Sequence, residues 1–337
     1  MDIHAIKLNI LGGFMKKVLS FIVLLTLTFS VSSPIFCNME TNLTEIIDKK
    51  PSTIKKAVTI SPVKTVQAKA TVVSTPPFVV IFPSLNVPQG NTFFVIVKSA
   101  SRLQNPYIIF KNKKIKLFEK TKGNYAGYIG IDAAQKTGQY PLNLRDKDGK
   151  LFYDKIITVT PTKFPSQHIT LSPSKSSLSP SKEELSQIEY VKNAFSDAAY
   201  FGKFPFNSPT SGCIASLYGL KRYYNGVLGG YHKGIDISAP QGQGVKALTG
   251  GVVTVANNFK FHGGTVGLNH GQGITTIYLH MSKLYVKPGQ VVKEGDLIGA
   301  VGSTGIATGP HLHWGMYING VSVNPYTYWT KPLNRCS

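Results

Sequence analysis

Histidine is concentrated late in the chain: six of the eight histidines fall between residues 232 and 313. Three stretches there carry spacings that chemistry can use. In Tyr231-His232-Lys233-Gly234-Ile235-Asp236-Ile237 a His and an Asp stand four apart. Gly234 and the β-branched Ile235 and Ile237 disfavour a helix, so the stretch reads as a strand entered from a turn. His232 and Asp236 then point the same way and bracket Gly234, where a missing side chain leaves room for an ion. In Gly309-Pro310-His311-Leu312-His313-Trp314 two histidines at i and i+2 of a strand emerge on one face, with Leu312 in the opposite layer. Thr275 to His280 alternates as a strand and ends with His280 on the face of Tyr278.

Each stretch alone has a plain explanation, such as a solvated His, a capping Asp or a structural strand end. Together they match a catalytic zinc, which takes three His or Asp/Glu ligands and keeps a fourth position for water. His232, Asp236 and one of His311 and His313 supply that set. The other of the pair, with His280, is left for proton transfer or transition-state contacts. No H-E-x-x-H occurs, which removes the helical class of zinc peptidases.

These residues need strands and tight loops to position them. The 337-residue chain contains 32 Gly, 20 Pro, 18 Phe and 16 Tyr, a composition of β-structure with many turns. The expected fold class is mostly β, with two blocks. Seven short β-rich runs lie at 78–82, 92–97, 107–110, 115–118, 125–131, 140–144 and 152–159, divided by turn signals such as Lys122-Gly123-Asn124. Their spacing predicts an immunoglobulin-like β-sandwich over 77–160. That block holds no His or Cys and reads as a spacer or binding module. Residues 38–76 read as a flexible tether, and 161–202 as a Ser/Pro-rich linker followed by a helix. Ser181-Lys182-Glu183-Glu184 has the form of a capping box, with Leu185, Ile188, Val191, Phe195 and Ala198 at helical spacing behind it. The histidine-bearing block runs over 203–332, and 333–337 is a tail.

Met15-Lys16-Lys17 followed by the uncharged run Val18 to Val31 has the form of a signal peptide, which assigns 1–37 to a leader and makes Met15 a candidate start. The expected location is the periplasm or cell envelope, with the signal cleaved; an uncleaved membrane anchor is the alternative. In an oxidising compartment Cys213 and Cys336 either form one disulfide or stay as two buried thiols. A net charge of +21 suits an envelope rich in phosphate and carboxylate, so anionic envelope polymers are candidate partners. The charge is spread through linkers and both blocks with no stacking platform, so nucleic acid is not an expected partner. Oligomeric state is not legible.

The run from His232 to Pro325 resembles the lysostaphin/LytM-type zinc metalloendopeptidases. The matching stretches are "HKGIDISAPQGQGVKALTGGVV" and "LNHGQGITTIYLHMSKLYVKPGQVVKEGDLIGAVGSTGIATGPHLHWGMYINGVSVNP", with "SPTSGCIASLYGLKRYYNG" similar to the family's lead-in. The resemblance implies a C-terminal antiparallel β-sheet groove and one Zn2+ per chain, held by His232, Asp236 and His313. It assigns His311 as general base and His280 as its partner near the oxyanion. The implied substrate is the peptide stems of bacterial peptidoglycan, with D,D cross-links ahead of glycine bridges. The second reading is a non-catalytic regulator of this fold that activates other wall hydrolases. His270 is read as structural and His262 as solvated; His4 and His168 fall in the leader and a linker.

Overall fold

Phe78 to Phe82 alternates buried and half-buried residues along one strand, as expected of a sheet with one face on a core. In the computed structural model it belongs to a five-stranded sheet ordered Thr71–Thr75, Phe78–Phe82, Thr92–Ser99, Asn124–Gly130, Phe118–Thr121. A second sheet is ordered Asn86–Pro88, Leu151–Thr160, Gly138–Arg145, Tyr107–Phe110, Lys113–Lys116. Their inner faces share one core that includes Val80, Phe82, Val95, Ile108, Leu142, Leu144 and Ile157. The run read at 115–118 is divided between the two sheets. Buried Leu117 makes the crossing, its N–H donating to the Pro106 carbonyl at 2.9 Å.

The structure describes residues 71–75, 78–202, 204–331 and 333–336, within one unit, Val66–Ser337. The leader, Cys37, His4 and the tether up to residue 70 lie outside them.

The C-terminal block is built on an eight-stranded sheet. In order it runs Cys213–Ser216, Ile235–Ser238, His311–Ile318, Ile274–Met281, Gly263–Gly271, Gly251–Phe259 and Val291–Val292, with Val321–Val323 beside His311–Ile318. Gly263–Gly271 is buried at every residue because both faces of the sheet are covered. One face packs on the main core of Leu268, Tyr278, Leu312, Trp314 and Met316. The helix Lys182–Asn193 covers the other through Ile188 and Val191. Gly267 permits this approach, since a Cβ there would lie 2.4 Å from Val191 Cγ2.

The helix presents Glu184, Ile188 and Val191 inward, while Leu185 and Phe195 are exposed and Phe195 lies past its end. The expected stripe therefore holds at Ile188 and Val191, with Glu184 taking the inward place expected of Leu185. Ser181 Oγ accepts from Glu184 N at 3.1 Å, but the Glu184 carboxylate turns away from the helix start. It accepts from the His262 main-chain N–H at 2.8 Å and lies 2.6 Å from His262 Nδ1. His262 is thus tied to a buried carboxylate and is not solvated as expected.

The two blocks share side chains directly. Tyr128 and Ala133 of the sandwich belong to the main core of the C-terminal block. Trp329 Nε1 donates to Thr92 Oγ1 at 3.1 Å, and Ser322 Oγ to Asp132 Oδ2 at 2.7 Å. Cys213 and Cys336 form a disulfide across 123 positions, with Cα atoms 5.0 Å apart. The residues read as a tail pair with Cys213–Ser216, Cys336 N donating to the Ile214 carbonyl at 3.1 Å.

Candidate active site

Asp236 and His313 are direct cross-strand partners, so their side chains share one face. His232 is not on Asp236's strand. It lies in the break between Val227–Tyr231 and Ile235–Ser238, where its main-chain N–H donates to the Leu220 carbonyl at 2.8 Å. Its ring still enters the same space. His232 Nε2 is 3.0 Å from Asp236 Oδ1 and 3.0 Å from His313 Nδ1, and His313 Nδ1 is 2.9 Å from Asp236 Oδ1. All three residues are buried, and their ligand-type atoms lie within 4.8 Å of one another.

Gly234 serves a different purpose from the one its position suggested. A Cβ there would lie 2.8 Å from His313 Nε2 and 2.4 Å from the Trp314 carbonyl oxygen. The missing side chain makes room for the His313 ring, not for an ion.

His311, two residues along the same strand, faces this cluster with Nε2 3.9 Å from Asp236 Oδ1. His280 completes the group, its ring centre 4.9 Å from that of His311. Ordinary alternation would put His280 with Tyr278, whose ring is in the main core. Instead His280 has φ of 64°, which breaks the alternation and turns the imidazole onto the site face.

Main-chain carbonyls set the tautomers of three rings. Nδ1 of His232 donates to the Leu217 carbonyl at 2.7 Å, Nδ1 of His280 to Thr304 at 2.9 Å, and Nδ1 of His311 to Gly309 at 2.8 Å. In the neutral forms each Nε2 is left with a lone pair. His232 Nε2 and Asp236 Oδ1 therefore converge as electron-pair donors, and His313 Nδ1 joins them in the tautomer protonated on Nε2, the arrangement a divalent cation satisfies.

The electrostatics agree. Burial alone would raise the Asp236 carboxyl, but His232, His313 and Arg222 hold it well below the usual carboxylate range. Burial pushes His313 down to about 4, and His280 well below the ordinary range with help from His311 and His313. Neutral imidazoles are what a metal needs. Arg222, to which the sequence reading gave no role, bonds Asp236 Oδ2 through Nη2 and leaves Oδ1 to face the histidines. Its Nε donates to Gln167 Oε1 at 2.9 Å.

His270 lies outside this group. It is fully buried, with Nδ1 2.6 Å from the Gly250 carbonyl oxygen and Nε2 2.8 Å from Thr276 Oγ1. His168 stacks on Tyr223 with ring centres 4.8 Å apart.

The segment read as a plain linker is structured beside the site. Ser166–Ile169 pairs in parallel with Lys221–Tyr224, the strand of Arg222. A short helix, Pro173–Ser176, follows, and Lys175 bonds the loop at 303–307. This strap runs from the Asp236 side of the cluster to the His280 side.

Residues 230–325 match the model of peptidase family M23. An uncharacterized metalloprotease of Haemophilus influenzae is 50% identical over 97 residues, which are 28% of this chain and 20% of that protein. The DD-carboxypeptidase/endopeptidase Mpg of Neisseria meningitidis is 46% identical over 94 residues, 28% of this chain and 22% of that protein. The chain thus spans about a fifth of the length of these curated relatives. A solved structure from Pseudomonas aeruginosa, assigned to peptidase M23, superposes with a TM-score of 0.54 at 25% identity, over 71% of this chain and 92% of that one.

Proposed function

Residues 230–325 are a peptidase family M23 domain, and from that premise we propose that the chain is a zinc endopeptidase cutting peptide cross-links of bacterial peptidoglycan. The observation that carries the proposal is the convergence of His232 Nε2, Asp236 Oδ1 and His313 Nδ1, with two further histidines presenting Nε2 to the same space. When bound there, zinc supplies Lewis acidity and an acidified water.

The remaining chemistry belongs to the chain. His311, anchored through Nδ1, has the lone pair and placement of a general base, and returns its proton to the leaving amine. Neutral His280 has no Nε2 proton to give, because Thr304 takes the one on Nδ1. It can donate to an oxyanion only as a cation, so its role as oxyanion donor requires that a proton reach Nε2 during turnover. Arg222 fixes the Asp236 carboxylate so that one oxygen serves the metal.

The relative named for DD-carboxypeptidase and endopeptidase activity favours D,D cross-links as the substrate. A complete ligand set with both accessory histidines speaks against a regulator that only binds. We also place the protein in the envelope, exported by the leader, with the block expected over 77–160 as an immunoglobulin-like spacer. Digesting purified peptidoglycan with the zinc-loaded protein and reading the fragments by mass spectrometry tests the reading. Monomeric stems released from D,D-linked dimers support it; an unchanged dimer fraction refutes it.

A further inference from the structure

Lys175 ends in a cradle of main-chain oxygens. Its ammonium lies 3.1 Å from the Gly305 carbonyl oxygen and 3.5 Å from that of Ser303, and it also donates to that of Ala307. Among the described residues no carboxylate pairs with Lys175. Three converging carbonyls match the three donors of a primary ammonium, and neutral oxygens of this kind replace a cation's water shell.

The cradle is built independently of its occupant. Thr304 Oγ1 accepts from Gly264 N at 2.9 Å and donates to the Met281 carbonyl at 2.9 Å. A Cβ on Gly305 would lie 2.4 Å from the Phe261 carbonyl oxygen, so this loop is pressed against its neighbour. Between two of the three oxygens, the Thr304 carbonyl accepts from His280 Nδ1. The cradle therefore adjoins the reacting end of the site. Its occupant is held lightly: no residue of the helix Pro173–Ser176 is buried, and Ser172, Ser174, Ser176 and Ser177 are exposed.

We propose that the carbonyls of Ser303, Gly305 and Ala307 form a subsite for a primary ammonium of the substrate, and that Lys175 fills it until a stem peptide displaces it. The ligand class is a peptide whose diamino acid keeps a free side-chain ammonium close to the scissile bond. A glycine bridge has no such group within its length. The inference rests on the endopeptidase reading and narrows its substrate.

The test uses the full exported chain, zinc-loaded, and two synthetic cross-linked stem dimers that differ only in acetylation of the free side-chain amine. The expected result is a kcat/KM at least tenfold higher for the free-amine dimer, carried mainly by KM. Lys175→Met should raise that dimer's affinity several-fold, read by calorimetry in a His311→Ala background. Equal kcat/KM for the two dimers would leave the endopeptidase reading standing and overturn the subsite, without relying on any variant's folding. Unchanged or weaker binding in Lys175→Met overturns the displacement. If neither dimer is bound or cut, the endopeptidase reading and the subsite fall together.

Discussion

Each of His232, His280 and His311 commits Nδ1 to a main-chain carbonyl, and that commitment decides what the other nitrogen can do. His313 differs: its Nδ1 faces Asp236 and His232 directly. His313→Ala should therefore lose bound metal, whereas His311→Ala should keep most of it and lose hydrolysis by two or more orders of magnitude, in line with the about 10²–10⁴ that general bases contribute. Metal content by mass spectrometry beside the rate checks both; reversed metal losses would exchange the two roles. His270 gives a separate pH prediction. Burial lowers it from 6.5 to about 4, so the unfolded chain takes up its proton first. Its contribution to stability is full above pH 6.5 and fades as pH falls towards 4, by about 3 kcal/mol in all. Urea unfolding of the metal-free protein at pH 7 and pH 4.5 should show a smaller pH effect in His270→Asn than in the parent. The spacing of Asp236, His311 and His313 pointed to the cluster because the strand period and cross-strand register fix which face they share, whereas His232 reaches it from the break before Ile235–Ser238, outside that period. The carbonyls of Leu217, Thr304 and Gly309 were not legible, since any residue can present a main-chain oxygen and only the fold decides which does. Gly234 was misread for the same reason: the volume it leaves is claimed by a ring 79 positions away, as 313 minus 234 shows.

Among the elements, the helix Lys182–Asn193 is tied through Glu184 to His262, whose main-chain carbonyl accepts from His280 N. Its start was legible in Ser181, but the second half of the expected capping box was not formed, because the carboxylate satisfies His262 instead. Removing that acceptor strands the half-buried main-chain and ring donors of His262. Glu184→Ala should destabilise the protein by about 2–3 kcal/mol, more than a lost surface contact would. Chemical denaturation measures it, and a change below about 0.5 kcal/mol would show that the pair is dispensable. The run 115–118 read as one strand because Leu117 continues its apolar character; the sequence holds no local sign that the chain changes sheet there. The strap at 166–176 was hidden differently. Its Ser, Pro and Lys composition is that of a linker, and its order comes from partners in Lys221–Tyr224 and the 303–307 loop, far away in sequence.

At the scale of the molecule, the Cys213–Cys336 bridge ties the first strand of the C-terminal block to the end of the chain. A loop of this size corresponds to about 4–5 kcal/mol in the chain-entropy model. Reduction should lower the melting temperature while leaving metal content unchanged, because no cysteine belongs to the cluster; loss of metal on reduction would show that the bridge shapes the site. The sandwich and the C-terminal block were legible as separate β-rich stretches. Their shared core was not, because Tyr128, Ala133 and Trp329 look like ordinary residues of their own blocks. The account turns on metal-dependent hydrolysis at His232, Asp236 and His313. The most direct measurement titrates zinc into chelated protein while following cleavage of one D,D-linked stem dimer. The account predicts that activity returns in proportion to zinc, saturating at one equivalent, and that His232→Ala shows neither tight uptake nor cleavage. Cleavage by the chelated protein, or full activity in His232→Ala, would contradict it.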